Sequence, residues 1–262
     1  MKRRVVVKLG GSAIEQDGVV EQLATDLQNM PSVFPIIVHG GGLEIGRYLE
    51  LMGKKFTFVN GLRVTGADMI EVVEMVLSGK INKGLVTRFQ HCGVNALGVS
   101  GKDMRMLQAK KYKKDGVDIG FVGEIIEVNT DLLNICELNS VIPVVSPISG
   151  GVNGETYNVN ADHAALDIAR AMVCEDIVFI SDVAGIQRSD GRPVRQLTPE
   201  LADALIEAGE ITGGMIPKVS SALECLSYGV RRARIIAWKE PGTLVKELAM
   251  EESTYGTVVT TR

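Results

Sequence analysis

"VVVKLGGSA", residues 5 to 13, decides how this chain is read. Three β-branched residues suit a short buried strand, and the two glycines after Leu9 permit a tight turn into a helix. Between them stands Lys8, a cation at the carboxyl end of an otherwise apolar strand. Ligands of open α/β sheets gather outside those strand ends, where glycine turns and helix N-termini expose backbone N–H groups. The plain alternative is a lysine whose stem packs on the sheet edge while its ammonium reaches water.

The next apolar run ends the same way. "FPIIVH" runs into Gly40-Gly41-Gly42, so two successive strands finish in glycine turns and offer two neighbouring nests for an anion such as phosphate. Two better-known phosphate motifs are absent. "GVSGKD", residues 98 to 103, lacks the glycine at 96 and the Ser/Thr at 103 that a P-loop needs. Gly40, Gly42 and Gly46 imitate a dinucleotide fingerprint, but "VNGLR" stands where its acidic residue belongs.

Outward from these strands, short apolar runs alternate with amphipathic stretches, the pattern of βαβ units around a parallel sheet. Helices are predicted at about 19–30 and 43–52, then a hairpin in "KKFTFVNGLRVT" turning at Asn60-Gly61. Helical periodicity resumes at about 68–77 and 82–91. A strand "VNALGVS" and β-like runs at "MLQAKKYK" and "FVGEIIEV" predict a mixed sheet. Asp131–Leu138 reads as helix, "VIPVVSPI" as a buried strand, "NADHAALDIARAM" as helix and "DIVFIS" as strand. A Gly/Asp-rich loop, the helix "PELADALIEAG", a glycine hinge "TGGM", a helix from about Pro217 and strands "ARIIAW" and "GTVVT" complete the chain. The expectation is one continuous αβα sandwich over residues 1–262, with a soft boundary between lobes of about 1–175 and 176–262.

A chain of 262 residues buries roughly three quarters of its unfolded surface and needs no staples. Cys92, Cys136, Cys174 and Cys225 stand singly, without metal-ligand spacing, which fits a reducing cytoplasmic setting. No apolar run approaches the ~20 residues of a membrane span, and "MKRR" leads straight into strand pattern. A net charge of −4 gives no global field for nucleic acid, so anion binding must be local. A small ligand is expected, with neither nucleic acid nor membrane as partner.

Two further stretches carry chemistry. In "YNVNADHAA", Asn158, Asn160 and Asp162 alternate before an apolar helix. One of them could simply cap that helix, whereas all three together would present two amides and a carboxylate to a polar ligand. In "TGGMIPKV", Lys218 sits in a first helical turn, where the dipole disfavours a cation unless an anion lies between.

Taken in order, "KLGG", "HGGG", "NGLRVT", "SGKD", "NVNADHAA", "ISDVAGI" and "TGGMIPKV" resemble the amino acid kinase family from end to end. The resemblance implies a three-layer sandwich around a mainly parallel sheet, with the acyl substrate and dimerisation in the N-terminal lobe and MgATP in the C-terminal lobe. It implies transfer of the γ-phosphoryl group to a carboxylate and, within the family, N-acetyl-L-glutamate as acceptor in arginine biosynthesis. Lys8 and Lys218 would offset charge on the migrating phosphoryl group, with Asp162 orienting both ammonium groups. Gly11 and Gly41 would donate N–H bonds to it. Gly41, Gly42, Arg63, Asn158 and Asn160 would hold the acyl substrate, Arg63 at its α-carboxylate. The nucleotide would meet Lys8, Gly10, Gly11, Lys218, the run Asp182, Val183, Ala184, Gly185, Ile186, Gln187, and Glu210, Ile211, Thr212. Mg²⁺ would ride mainly on the nucleotide phosphates, with no protein metal site.

A carboxylate nucleophile is ionised near neutral pH, its ordinary pKa being about 4.3, so no general base is needed. The chemistry reduces to positioning and charge compensation, and His39, His91 and His163 are assigned to structural roles. The alternatives are an N-acetylaminoadipate or carrier-linked aminoadipate kinase, and a non-catalytic sensor; the latter would need none of Lys8, Asp162 or Lys218. Departures from the family pattern are Leu43 after the triple glycine, "MRMLQAKK" after "SGKD", and "AWKEPGTLVKEL" near the end. Because the first strand starts by about Arg3 with no helix before it, the resemblance implies a homodimer insensitive to arginine.

Overall fold

Alternation along the first strand sets the layers. A computed structural model describes residues 2–59, 61–113, 118–212, 215–227 and 229–261, except the side chains of residues 215, 217, 218 and 221. In β1 (Arg3–Leu9), Val5, Val7 and Leu9 enter one apolar core and Val6 enters another. Successive side chains of a strand point to opposite faces, so Lys8 shares the face of Val6.

The chain continues through α1 (Gly11–Glu15), α2 (Val19–Gln28), β2 (Val33–His39) and α3 (Gly42–Leu51). The expected hairpin forms from β3 (Phe58–Val59) and β4 (Leu62–Arg63), with Gly61 at φ +80° where a left-handed turn residue is required; Asn60 lies outside the described residues. Next come α4 (Ile70–Glu74), a π-helical turn (Met75–Ile81) and α5 (Asn82–His91). Two helices separated at 78–81 were expected; the π turn instead joins them into one continuous rod. Then follow β5 (Ala96–Ser100), β6 (Leu107–Lys111), β7 (Val122–Val128), α6 (Asp131–Leu138), β8 (Ile142–Ser146), β9 (Ile148–Gly151), β10 (Thr156–Val159) and α7 (Ala161–Ala171). The last portion holds β11 (Asp176–Ser181), β12 (Gln196–Leu197), α8 (Pro199–Glu207), α9 (Met215–Ser227), β13 (Arg232–Ala237), α10 (Thr243–Ala249) and β14 (Gly256–Thr260).

Eight strands form the main sheet in the order β12-β14-β13-β11-β1-β2-β8-β5. Every pairing in it is parallel except β13 with β14. α2, α5 and α10 cover one face through Leu23, Phe89 and Leu244, while α6, α7, α8 and α9 cover the other through Leu133, Ile168, Leu205 and Val219. The expected three-layer sandwich is present. β6, β7, β9 and β10 close a small barrel of their own, and "VIPVVSPI" is divided between the main sheet and that barrel at Pro147.

β1 lies at the centre, flanked by β2 and β11, and its neighbouring crossovers run on opposite faces: α2 leads to β2 and α7 to β11. That switch opens a crevice outside the carboxyl ends of β1 and β2, where Lys8, Gly11 and Gly40–Gly42 fall. No helix among the described residues is long and apolar enough to cross a membrane.

Candidate active site

The crevice is a cleft of about 230 Å³. Its floor is the pair of glycine turns. α1 and α3 begin at Gly11 and Gly42 with Gly10 and Gly41 as caps, and neither cap supplies a side-chain hydrogen bond. The first N–H groups of a helix have no intrahelical acceptor, so these turns keep donors for an anion in the cleft. Gly41 has a packing reason as well: a Cβ there would come within 2.2 Å of Ile81 on the π turn.

Lys8 enters from the α7 side. Its Nζ stands 2.8 Å from Asp162 Oδ1, with the two side chains 14% and 45% exposed. Asp162 lies in the first turn of α7, where the helix dipole favours a carboxylate. Asn160 is the N-cap: its Oδ1 accepts from the backbone N–H of Asp162 at 2.8 Å and of His163 at 3.2 Å. Of the three alternating Asx residues, one caps, one pairs with Lys8, and Asn158 reaches sideways to Thr65.

The opposite wall is the hairpin. Arg63 is buried, and its guanidinium lies 4.0 Å above the Phe56 ring and 4.7 Å from that of Phe58. Nη2 donates to the Gly42 carbonyl at 2.7 Å, whereas Nη1 is buried with no partner among the described residues. Burial lowers the Arg63 pKa, but a guanidinium keeps its proton, so the cleft holds a desolvated cation with a donor to spare. Thr65 joins the two walls: Asn158 Nδ2 donates to its Oγ1 at 3.1 Å, and that hydroxyl donates to the Arg63 carbonyl at 2.9 Å. Leu77, Val122, Pro147 and Val159 add an apolar side to the same cleft.

A second hollow, about 700 Å³, continues past Gly11, Ser12 and Leu43 to Asp182. Just past the segment 182–187, Arg188 Nη1 donates to Glu210 at 2.7 Å. Gly185, at φ +84°, crowds Gly256 and Thr257, and Ile186 donates its N–H to Thr257 Oγ1 at 2.7 Å while its side chain is buried in the core. Val183 and Ala184 are half-buried and Ile211 is buried; Gln187 and Thr212 are exposed. The side chain of Lys218 lies outside the described residues, as do Gly213 and Gly214. Among the described residues no three His, Cys, Asp or Glu side chains gather as metal ligands.

The sequence did not single out Thr65, Phe56, Phe58 or the apolar wall. Phe56 and Phe58 left a signal in their alternation opposite Arg63 across the turn. Thr65 left none, because its role exists only once the fold sets Asn158 of β10 beside it.

The model of the amino acid kinase family matches residues 3–237. The chain belongs to the amino acid kinase family. Among relatives of this amino acid kinase, an acetylglutamate kinase from Pelotomaculum thermopropionicum is 42% identical over 98% of this chain and 92% of its own. Another from Methanocaldococcus jannaschii is 44% identical over 97% and 89%. Of solved structures, smu.665 from Streptococcus mutans superposes with a TM-score of 0.81 at 26% identity, with both chains covered in full. The N-acetylglutamate synthase from Neisseria gonorrhoeae, in complex with coenzyme A and N-acetyl-glutamate, shares the fold with a TM-score of 0.85 at 23% identity. That match spans 99% of this amino acid kinase and 60% of the synthase.

Proposed function

We propose that this chain transfers the γ-phosphoryl group of ATP to the side-chain carboxylate of N-acetyl-L-glutamate, a step of arginine biosynthesis. The observation that carries the reading is the meeting of Lys8 with Asp162 at 2.8 Å in one cleft with Gly11, Gly41 and the unpartnered Nη1 of Arg63. Two nearly full-length relatives above 40% identity bear the matching name.

Arg63 takes the α-carboxylate on Nη1, a charge-assisted bond beside an aromatic clamp. Asn158, Gly42 and the free Nδ2 of Asn160 complete the polar end of the substrate. The acetyl methyl rests on the apolar side formed by Leu77, Val122 and Val159. The side-chain carboxylate, already ionised, then faces the glycine floor. Charge on the migrating phosphoryl group spreads over its equatorial oxygens, and Lys8 with the N–H groups of Gly11 and Gly41 is aimed there in advance. Asp162 holds the Lys8 ammonium in place and, in this reading, that of Lys218 too.

The nucleotide occupies the hollow beside Asp182, between segments 182–187 and 210–212, with Lys8, Gly10, Gly11 and Lys218 at its phosphates. Residues up to about 175 form the acyl and dimer lobe, and the rest the nucleotide lobe. The polar groups of the cleft are N–H groups, cations, two side-chain amides and one carboxylate already paired with Lys8. That set suits Mg²⁺ arriving on phosphate oxygens, as this ion commonly does, rather than one caged by protein. When bound, the ion neutralises charge on the β- and γ-phosphates. The working unit is a cytoplasmic homodimer, which light scattering measures directly.

The test is an ATP-dependent hydroxamate assay offering N-acetylglutamate, glutamate, aspartate and N-acetylaminoadipate in parallel. Product from N-acetylglutamate is expected to dominate. Activity on free glutamate without activity on its acetylated form overturns the assigned acceptor.

A further inference from the structure

His39 ends β2 directly behind the glycine turn and is fully buried. Its Nδ1 is 3.0 Å from the Gly40 carbonyl oxygen, and its Nε2 is 3.1 Å from Asn82 Nδ2. A carbonyl only accepts, so Nδ1 carries the proton; an amide nitrogen only donates, so Nε2 is bare. The two contacts demand the same tautomer. Burial keeps the ring neutral by pushing its pKa down to about 4. Asn82 is fully buried at the first position of α5, and the two hydrogens of its Nδ2 serve His39 Nε2 and the Val144 carbonyl at 2.8 Å, with the Val99 carbonyl at 3.3 Å a weaker, shared acceptor. Hydrogen bonds therefore run from β8 through Asn82 and His39 to one glycine carbonyl.

That carbonyl and the Gly41 N–H belong to the same planar trans peptide, so they point in opposite directions. Tying the oxygen back to the imidazole turns the N–H away from it. Gly40, Gly41 and Gly42 line the cleft, and His39 does not. A peptide between two glycines has wide rotational freedom and needs an outside hold to stay in one orientation.

We propose that His39 is a positioning residue: its Nδ1–H, kept in that tautomer by Asn82, sets the plane of the Gly40–Gly41 peptide and so aims the Gly41 N–H at the migrating phosphoryl group. The proposal rests on the phosphoryl-transfer reading above and gives its glycine floor a supporting shell. His39 touches neither substrate. It acts through the backbone.

Two variants test it. His39→Leu keeps the bulk and removes the donor, while His39→Asn returns an N–H near the Nδ1 position. His39→Leu is expected to lower kcat about 10- to 100-fold with both KM values within about threefold, because the lost interaction belongs to the transition state. His39→Asn is expected to recover most of that loss. In ¹⁵N-labelled protein, the Gly41 amide resonance shifts when β,γ-imido-ATP and Mg²⁺ are added to wild type and to His39→Asn, but not to His39→Leu. This readout does not depend on the acceptor, so a wild-type enzyme inactive on N-acetylglutamate refutes the substrate while the Gly41 resonance still decides His39. Should His39→Leu not fold, Asn82→Ala replaces it: the imidazole stays, its tautomer is released, and the same kcat-selective loss is expected. The proposal is overturned by a kcat within twofold of wild type, by equal losses in the Leu and Asn variants that track their melting temperatures, or by a Gly41 resonance indifferent to the change.

Discussion

β1 carries a cation toward each end, and the two are treated differently. At the amino end, Arg3 donates from Nε to Asp176 at 3.0 Å and from Nη1 to the Leu248 carbonyl at 2.9 Å. Asp176 is fully buried and draws in two more arginines: Arg232 donates from Nη2 to its Oδ2 at 3.2 Å, while Arg232 Nε at 2.8 Å and Arg234 Nε at 3.6 Å from its Oδ1 are charge contacts without a hydrogen bond. Arg234 continues to the buried Glu247, which also accepts from Ser253 Oγ at 2.9 Å and from the backbone N–H of Thr254 at 2.8 Å. At the carboxyl end, Lys8 has one partly exposed carboxylate, Arg63 keeps a bare Nη1, and the glycine turns keep bare N–H groups. Charge alone does not mark a site. Asp176 Oδ1, Arg232 Nε and Arg234 Nε also lack hydrogen bonds, but each is set against an opposite charge of the protein; what marks the site is hydrogen-bonding capacity left facing a cleft with no partner from the protein.

The comparison is easiest to break at its buried end. Removing one member of a buried ion network leaves the others uncompensated, at a cost of about 3–5 kcal/mol. Asp176→Ala is expected to lose that much stability in urea titration, with kcat of the folded fraction nearly unchanged. At the other end the signs reverse. Lys8→Ala is expected to lower kcat about 100- to 1000-fold, the worth of one electrostatic contact of roughly 3–4 kcal/mol, with substrate binding and melting temperature far less affected. A rate loss below about tenfold argues against Lys8 as a catalytic group, and an Asp176 variant with impaired kcat but normal stability erases the distinction between the two ends.

The same contrast explains what could be read from the sequence. The strand-glycine junctions at 9–11 and 39–42, the Asn-Gly hairpin and the amphipathic helices are local patterns, and the architecture followed from them. α10 left no such mark: its N-cap, Gly242, donates its N–H to Asp26 Oδ1 at 2.7 Å, and Leu244 donates to Oδ2 at 2.9 Å. A helix capped by a carboxylate from α2 cannot be seen in its own residues. The charge network around Asp176 is equally long-range, as is the Arg63–Thr65–Asn158 link. The pairing of Lys8 with Asp162 came from family resemblance; alternation in β1 then supplied its physical reason, by placing Lys8 on the α7 face. Expecting two helices at 68–91 failed at Ser78-Gly79-Lys80, where a π turn bridges the weak sequence and lets Leu77 and Ile81 press against Gly41.

His39 sharpens the comparison because it is a titratable group at the catalytic end whose partners, like those of the groups at the other, come from the protein itself. Its pKa falls from an ordinary value near 6.5 in the unfolded chain to about 4 when folded, through burial, which outweighs the opposing hydrogen bond to the Gly40 carbonyl and is aided by the nearby Lys83. Between those values the unfolded chain binds more protons than the native one, so stability rises with pH through the window and is lost as pH falls from about 6.5 to about 4. The whole window is worth about 3 kcal/mol. Denaturant titrations of wild type and His39→Asn across it are expected to differ in slope, the variant being flatter by one proton; identical slopes show that His39 is not held neutral.

The smallest effect separates the two duties of Asn160. Its Oδ1 is spent on the α7 cap, and its Nδ2 remains for the cleft. Replacing the residue with alanine removes both and is expected to cost about 1 kcal/mol of stability through the lost cap. Asn160→Asp keeps an accepting oxygen, and its charge suits a helix N-terminus, so stability is expected to hold. It also removes the donor and sets a second anion beside the substrate carboxylate. KM for N-acetylglutamate is therefore expected to rise in the Asp variant while urea midpoints stay put, and in the Ala variant both move. If KM is unchanged in Asn160→Asp, the residue is a cap alone and belongs with the internally paired groups at the far end of β1 rather than with the unfilled donors of the cleft.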